Sequence, residues 1–258
     1  MKKIGVFDSG IGGLTVLRAL RQVAPEADMV FLGDLARVPY GVHDQPTILS
    51  YSRDNAAFLL REQAEAVVIA CNTATAASLD TLREELDVPV WGVIESAVKA
   101  AVKATRNGRI AVIATEATVR SGSYERQLRA ALPEGEFAFL ACQNLVSLIE
   151  SGVGEDEDAA VEQCRAYLEP LQGKNFDTMI LGCTHFPMYR HTIERLLPGV
   201  TLIDTGEAIS AMLEAELGGS EGSGTTDYCV TARSEAFDRA VLKLDEKATP
   251  GCVRLVTL

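Results

Sequence analysis

Short apolar segments rich in β-branched residues alternate along this chain with longer segments of helical periodicity. Apolar runs of four or five residues are typical of strands buried on both faces of a parallel sheet. Regular alternation of such strands with helices predicts βαβ units and an α/β fold. The predicted strands cover residues 3–7, 29–32, 66–70, 89–93, 110–114, 137–141, 178–181 and 201–203. The predicted helices cover residues 14–23, 47–63, 75–86, 97–105, 121–131, 159–171 and 191–197.

The strand pattern begins again in the middle of the chain. Residues 3–9 (Lys-Ile-Gly-Val-Phe-Asp-Ser) resemble residues 109–115 (Arg-Ile-Ala-Val-Ile-Ala-Thr). Other segments recur at a similar spacing of roughly 110 residues, which favours two similar, pseudo-duplicated halves. The alternative is that all parallel strands resemble one another.

A Gly- and Ser-rich break at residues 218–224 separates a tail with a predicted strand at 228–231 and a helix through 242. We expect this tail to pack back on one of the halves. The predicted architecture is therefore two similar α/β domains with mainly parallel sheets. The first comprises residues 1–97 and 207–258, and the second residues 98–206.

Composition limits the class of protein. A net charge of −12 and a sequence pI near 4.8 argue against a nucleic-acid surface, which would need a basic patch. No apolar run is long enough to span a bilayer. The first residues begin a strand at once and lack the apolar core of a signal peptide. We therefore expect a cytoplasmic protein that does not bind membranes.

Cysteine and histidine usage argues against disulfides and metal centres. The chain has six cysteines and three histidines, with no C-x-x-C spacing. A structural zinc site needs about four convergent Cys or His ligands, and a chain of this length without an export signal does not suggest a disulfide framework. We predict no metal.

Two predicted strands each end at a cysteine that small polar residues follow. Cys71 precedes Asn-Thr-Ala-Thr, and Cys183 precedes Thr-His-Phe-Pro. Ligands of open α/β sheets bind at the carboxyl ends of the strands, where we expect each strand to open into a loop. A thiolate and a thiol on opposite faces of one carbon centre could remove a proton and return another, inverting a stereocentre without a cofactor. The alternative, one nucleophilic cysteine with His185 in a thiol hydrolase, leaves the other motif unexplained.

A glycine-rich turn follows the first strand, in the sequence Asp8-Ser9-Gly10-Ile-Gly12-Gly13. Its backbone could approach a ligand closely, and the amides of the next helix would suit a carboxylate. Asp8 would suit an ammonium group or act on a nearby thiol. A dinucleotide fingerprint is not supported, because Thr15 stands where a third glycine is required. The turn could also be purely structural.

Four motifs in order along the chain resemble the cofactor-independent aspartate/glutamate racemase family, and within it bacterial glutamate racemases. They are Asp8–Gly13, Val38-Pro39-Tyr40-Gly41, Ala70-Cys71-Asn72-Thr73-Ala74 and Leu181-Gly182-Cys183-Thr184-His185-Phe186-Pro187. The resemblance implies interconversion of L- and D-glutamate for peptidoglycan, with no cofactor. It also implies two α/β domains with the active site between them, and a homodimer.

The resemblance also implies residue roles. Cys183 would deprotonate L-glutamate with help from His185, and Cys71 would deprotonate D-glutamate with help from Asp8. Asp8 and Ser9 would lie at the amino group of the substrate. Hydroxyls and backbone amides elsewhere in the pocket would bind the carboxylates. The other predicted substrate-binding residues are Pro39, Tyr40, Gly41, Asn72, Thr73, Thr118, Thr184 and His185. Glu150 matches a family acid close to the second thiol.

The sequence departs from the family pattern at two places. Gly41-Val-His43-Asp replaces a usual Gly-Thr-Lys-Ser, and we expect His43 to lie in a solvated loop. Cys142-Gln-Asn-Leu-Val-Ser replaces a usual proline and aromatic run ahead of Glu150, which could therefore be an exposed residue at a helix end. Alternatives left open are a racemase of aspartate, hydantoin or another small acid, and a non-catalytic ligand-binding protein.

Overall fold

The computed structural model describes residues 2–258. The strands are β1 (Lys3–Asp8), β2 (Asp28–Gly33), β3 (Ala66–Ile69), β4 (Val90–Gly92), β5 (Arg109–Ala114), β6 (Glu136–Ala141), β7 (Thr178–Gly182), β8 (Thr201–Asp204), β9 (Thr226–Val230) and β10 (Val253–Leu255). The α-helices are α1 (Gly13–Val23), α2 (Gln45–Arg61), α3 (Asn72–Glu85), α4 (Val93–Ala104), α5 (Glu116–Ser121), α6 (Ser123–Ala131), α7 (Gln143–Glu150), α8 (Asp158–Leu168), α9 (Arg190–Leu196), α10 (Thr205–Leu217) and α11 (Glu235–Leu244).

The strands form two parallel sheets, as the alternation of elements predicts. The first sheet has the order β10-β9-β2-β1-β3-β4, and the second has the order β6-β5-β7-β8. Every strand pairing in both sheets is parallel. The α/β class with parallel sheets is therefore confirmed.

The two sheets share one topology. The order β2-β1-β3-β4 within the first sheet corresponds strand for strand to β6-β5-β7-β8 in the second. β1 and β5, the strands with similar sequences, occupy the same central place. β3 and β7, which precede the two cysteines, both lie directly beside that central strand. Equivalent strands therefore deliver the two thiols.

The helices that follow β4 and β8 join the two halves. The apolar side chains of Ile94 and Val98 in α4 pack with Ile110 and Ile180 of the second sheet. Ile209 and Leu213 of α10 instead pack with the core on the first sheet. The domain boundaries predicted after residues 97 and 206 therefore fall inside helices α4 and α10.

Several predicted helix bounds are wrong for identifiable reasons. The polar residues after Cys71 are not a loop, because α3 begins at Asn72 and Cys71 caps it by accepting a hydrogen bond from the Ala74 N–H. The helix predicted at 121–131 is α6, which begins at Ser123, and α5 before it was not predicted; Gly122, in the left-handed conformation at φ 67°, separates the two. Helix α4 begins four residues earlier than predicted, directly after β4.

The tail completes the first sheet. Strand β9 pairs with β2, and β10 pairs with β9 at the sheet edge. Strand β10 was not predicted, because its sequence Val-Arg-Leu has a charged residue in the middle and forms no apolar run. Within residues 2–258, no helix combines the length and apolar character needed to cross a membrane.

Candidate active site

Cys71 lies at the carboxyl end of β3, in the first half of the molecule. Its side chain is buried, with Ser9 Oγ at 3.7 Å and the Ala74 N–H at 3.5 Å from Sγ. Burial, aided by the negative charge of Asp8, raises the pKa of Cys71 to about 12. Cys71 is therefore a neutral thiol at neutral pH.

Cys183 occupies the equivalent place after β7, in the second half. It is also buried, and its Sγ lies 3.6 Å from Nδ1 of His185. The other ring nitrogen of His185, Nε2, lies 2.5 Å from Oε1 of Glu150 at the end of α7. The sequence therefore brings one thiol, one imidazole and one carboxylate into a single chain of contacts.

This chain of contacts controls the charge of the imidazole. Burial alone would lower the pKa of His185, but the hydrogen bonds to Cys183 and Glu150 outweigh it and raise the pKa well above 6.5. Burial would raise the pKa of Glu150, yet the contact with His185 leaves it lowered. His185 is therefore an imidazolium at neutral pH, and its positive charge lies beside Cys183.

Asp8 connects the first half to the second. It ends β1, is fully buried, and accepts hydrogen bonds from the Gly10 N–H at 2.9 Å and from Thr184 Oγ1 at 3.2 Å. Burial raises its pKa to about 6, although the nearby His185 opposes this shift. Above that pH, Asp8 carries a negative charge that suits an ammonium group.

The glycine-rich turn allows the halves to approach closely. A Cβ atom on Gly12 would lie 2.5 Å from Thr184 Oγ1 and 2.8 Å from His185 Nδ1. The Ile11 N–H lies 3.4 Å from Glu150 Oε1. Glu150 thus lies against the turn, and it is not the exposed residue at a helix end that the sequence left open.

Both cysteines line one small cavity between the halves. Its lining residues are Ser9, Pro39, Tyr40, Gly41, Cys71, Asn72, Thr73, Thr115, Gln143, Val146, Cys183, Thr184 and His185. The cavity volume of about 10 Å³ suffices for roughly one water molecule. Most of the predicted site residues therefore converge here, in a closed arrangement. His43 does not line this cavity; its ring packs edge-on against Tyr51.

Neutral hydroxyl and amide groups surround the thiols. Thr73 Oγ1 lies 2.9 Å from Thr115 Oγ1 and 3.1 Å from Thr118 Oγ1. Thr118 belongs to this cluster but not to the cavity wall, so it supports Thr73 from behind. Asn72 Oδ1 accepts a hydrogen bond from the Tyr124 hydroxyl at 2.6 Å, which fixes its orientation.

The Tyr40 hydroxyl is engaged outside the cavity. It donates to the buried carboxylate of Asp34 and accepts a hydrogen bond from Asn55 Nδ2 at 2.9 Å. The Tyr40 hydroxyl is therefore not free to bind a carboxylate in this arrangement. Tyr40, together with Pro39 and Gly41, forms part of the cavity wall.

Three lining residues were not predicted from the sequence. Thr115 is the counterpart of Ser9 in the repeated segments, so the repeat itself carried a signal for it. Gln143 and Val146 lie on α7, which follows β6. No helix was predicted there.

Comparison with known proteins agrees with this site. Residues 14–213 match the family model described as Asp/Glu/Hydantoin racemase. The glutamate racemase of Aquifex aeolicus is 43% identical over 251 residues, covering 96% of both chains. A glutamate racemase of Thermus thermophilus is 42% identical over 260 residues, covering 99% of this chain and 96% of that one.

Solved structures give the same result. A glutamate racemase from Bacillus anthracis matches with a TM-score of 0.91 and 32% identity, covering 100% of this chain and 98% of that one. A glutamate racemase from Francisella tularensis in complex with D-glutamate matches with a TM-score of 0.89 and 32% identity, covering 99% of this chain and 97% of that one. The α/β fold, the paired cysteines and these similarities together establish that the chain belongs to the Asp/Glu/hydantoin racemase family.

Proposed function

We propose that this chain is a glutamate racemase that interconverts L- and D-glutamate by proton transfer at Cα between two cysteines. The observation that carries the proposal is that Cys71 and Cys183 follow equivalent strands of two similar sheets and line one cavity. The glutamate racemases of Aquifex aeolicus and Thermus thermophilus, similar over almost the whole chain, support the choice of glutamate.

The different surroundings of the two thiols indicate which cysteine acts as the base on each enantiomer. Cys183, beside the imidazolium of His185, is the base that takes the Cα proton of L-glutamate. Cys71, a neutral thiol, donates its proton to the opposite face of the carbanion. The product is D-glutamate, and the two sulfurs have exchanged protonation states. The reverse reaction uses the same groups with their roles exchanged.

The carbanion needs stabilisation, because the Cα proton of an amino acid is only weakly acidic. The first N–H groups of α3, in Asn72 and Thr73, have no partner within the helix and suit a carboxylate. Oriented neutral donors of this kind stabilise the charge that develops on the carboxylate as the proton leaves. The Thr184 hydroxyl, in the same cavity wall, already donates to Asp8 and holds that carboxylate in place. Asp8, ionised above its raised pKa of about 6, holds the ammonium group.

Substrate entry requires the cavity to enlarge. A volume of about 10 Å³ is far too small for glutamate. The wall consists of loops from both halves, including Gly41 from the first and Thr115 from the second. We therefore propose that the two halves separate to admit glutamate and close around it, which also excludes water from the carbanion.

The proposal is tested by following L-glutamate and L-aspartate with chiral chromatography, without added cofactor. We expect D-glutamate to appear until the two enantiomers are equal, with little conversion of aspartate. Conversion of aspartate but not of glutamate would assign the chain to a different racemase. Loss of glutamate conversion after exhaustive dialysis, restored by a cofactor, would contradict the cofactor-free mechanism.

We also propose that the enzyme works in the cytoplasm and supplies D-glutamate for peptidoglycan. The six cysteines are all unpaired in the structure, which suits a reducing compartment. Rescue of a D-glutamate-requiring bacterial strain by this chain, but not by its Cys71→Ala variant, tests the role. The homodimer rests on the family resemblance, and light scattering that gives a mass near 27.7 kDa at micromolar concentration would refute it.

A further inference from the structure

Gln143 has an unsatisfied hydrogen-bond donor in the wall of the active-site cavity. It is the first residue of α7, and its side chain is 8% exposed. Among the described residues, its Nε2 atom is buried and has no hydrogen-bond partner. Buried side-chain amides in folded proteins are normally paired, so an unpaired one needs an explanation.

The side-chain oxygen of Gln143 fixes the orientation of its amide group. Gln143 Oε1 accepts a hydrogen bond from the Glu116 N–H at 3.4 Å. Exchanging the oxygen and nitrogen would place two donors against each other and leave a buried carbonyl without a partner. Gly41 packs on the same oxygen, because a Cβ atom at Gly41 would overlap Oε1. The NH₂ group is therefore the part of Gln143 left for a ligand.

The chemistry of the cavity indicates which ligand group would accept this bond. The lining residues include no lysine or arginine within the described chain, so a carboxylate must be held by neutral donors and by His185. Thr73 and Thr115 already bond to each other, and the Asn72 NH₂ group already donates to Thr205 Oγ1 at 3.5 Å. A carboxylate oxygen is the strongest acceptor that an amino-acid substrate offers, and it would give Gln143 Nε2 a hydrogen-bond partner.

We propose that Gln143 Nε2 donates a hydrogen bond to a carboxylate of the bound amino acid and so determines substrate affinity. The inference rests on the proposed racemase function and adds a binding residue that the sequence motifs did not include. Gln143 lies on the second half, whereas Gly41, against which it packs, lies on the first. The bond to the substrate therefore forms where the two halves close.

Two substitutions separate binding from structural support. Gln143→Glu keeps the oxygen that accepts from the Glu116 N–H but replaces the donor with a negative charge. Gln143→Met removes both functions at similar volume. Gln172→Met is the matched control, because Gln172 is exposed and lies outside the cavity. The rates of L- and D-glutamate conversion, and D-glutamate binding by calorimetry, are measured for the three variants and the unmodified enzyme.

We expect Gln143→Met to raise KM for both enantiomers about 10-fold or more, as the loss of a hydrogen bond to a charged group requires. Gln143→Glu should raise KM further, with a smaller relative change in kcat, and Gln172→Met should change neither. If Gln143→Glu keeps the normal KM and dissociation constant, Gln143 only supports the Glu116 loop and the inference is overturned. Should Gln143→Met fail to fold, Gln143→Glu still decides the outcome. Failure of the unmodified enzyme to convert glutamate would instead refute the proposed function.

Discussion

Glu150 Oε1 lies 2.5 Å from Nε2 of His185, and the other nitrogen of that ring lies 3.6 Å from Cys183 Sγ. Among residues 2–258, Cys71 has no such histidine partner; Ser9 Oγ and the Ala74 N–H are its hydrogen-bonding neighbours. Equivalent positions in two similar sheets therefore carry thiols with different charge environments. Of the two thiols, Cys183 is the one that lies beside a positively charged histidine.

Glu150→Gln is expected to move the alkaline limit of L-glutamate conversion to lower pH. The contacts with Cys183 and Glu150 raise the pKa of His185, so the imidazolium persists to higher pH than in a free histidine. Without the carboxylate, His185 loses its proton at lower pH, and the positive charge beside Cys183 is lost with it. We expect kcat near pH 8 to fall about 10-fold.

A pH-rate profile of L-glutamate conversion measures this effect. Glu155→Gln is the control, because Glu155 lies 3.1 Å from the exposed His191, outside the cavity. An unchanged profile in Glu150→Gln would show that the carboxylate does not act through His185.

Asp8→Asn should stabilise the protein at neutral pH while impairing catalysis. Burial raises the pKa of Asp8 from 3.8 to about 6, so the folded state binds a proton that the unfolded state loses at lower pH. The unfolding free energy therefore falls as pH rises from about 4 to about 6, by up to roughly 3 kcal/mol. The unfolding free energy of Asp8→Asn does not fall in this way, because asparagine does not ionise. The variant also has no charge to hold the substrate ammonium group.

Urea unfolding at about pH 4 and pH 7.5 checks the sign of this linkage. We expect the variant to exceed the unmodified protein in unfolding free energy by a larger amount at the higher pH. We also expect its turnover to be reduced about 100-fold or more. An equal stability difference at both pH values would mean that Asp8 ionises normally.

Tyr40→Phe tests whether the Tyr40 hydroxyl contacts the substrate. This hydroxyl bonds to the fully buried Asp34 carboxylate and to Asn55, outside the cavity. Its removal leaves Asp34 short of a donor, so we expect a stability loss of about 1–3 kcal/mol. KM for glutamate should stay within about two-fold, since a hydroxyl that does not touch substrate contributes little binding energy. A ten-fold rise in KM, with normal stability, would return the hydroxyl to the substrate site.

An enzyme that lacks one of the two cysteines should still exchange the α-proton of one glutamate enantiomer with solvent. Cys71→Ala keeps the base beside His185, so it should abolish racemisation yet still exchange the α-proton of L-glutamate with solvent. Cys183→Ala should exchange only the α-proton of D-glutamate. Nuclear magnetic resonance in D₂O measures both, with Cys252→Ala, half-buried and outside the cavity, as the control. Racemisation at the normal rate by either active-site variant would end the two-cysteine account.

The sequence predicts most of the fold because parallel strands here are short, apolar and bounded by polar residues. It fails at α3 and α5, where the helix begins in the polar residues after a strand and a Cys or Thr side chain caps it. The start of such a helix is not recognisable from the sequence, because the same residue types are common in loops. Helix α7 was not predicted, and both Gln143 and Val146 were missed with it.

The site was predictable where a residue type itself carries chemistry. Cys71, Cys183 and His185 fall at strand ends, and their convergence follows from the shared topology of the sheets. The orientation of a side chain does not follow from such patterns. Tyr40 lies beside the cavity, yet its hydroxyl bonds outside it, and that depends on Asp34 and Asn55 from other elements.

In the proposed reaction, Cα is deprotonated from one face and reprotonated from the other by two different groups. L-glutamate is incubated with the enzyme in D₂O and sampled during the first few per cent of conversion. We expect the D-glutamate formed to carry deuterium at Cα while the remaining L-glutamate carries hydrogen. D-glutamate that retains hydrogen, or deuterium appearing equally in both enantiomers from the start, would contradict it.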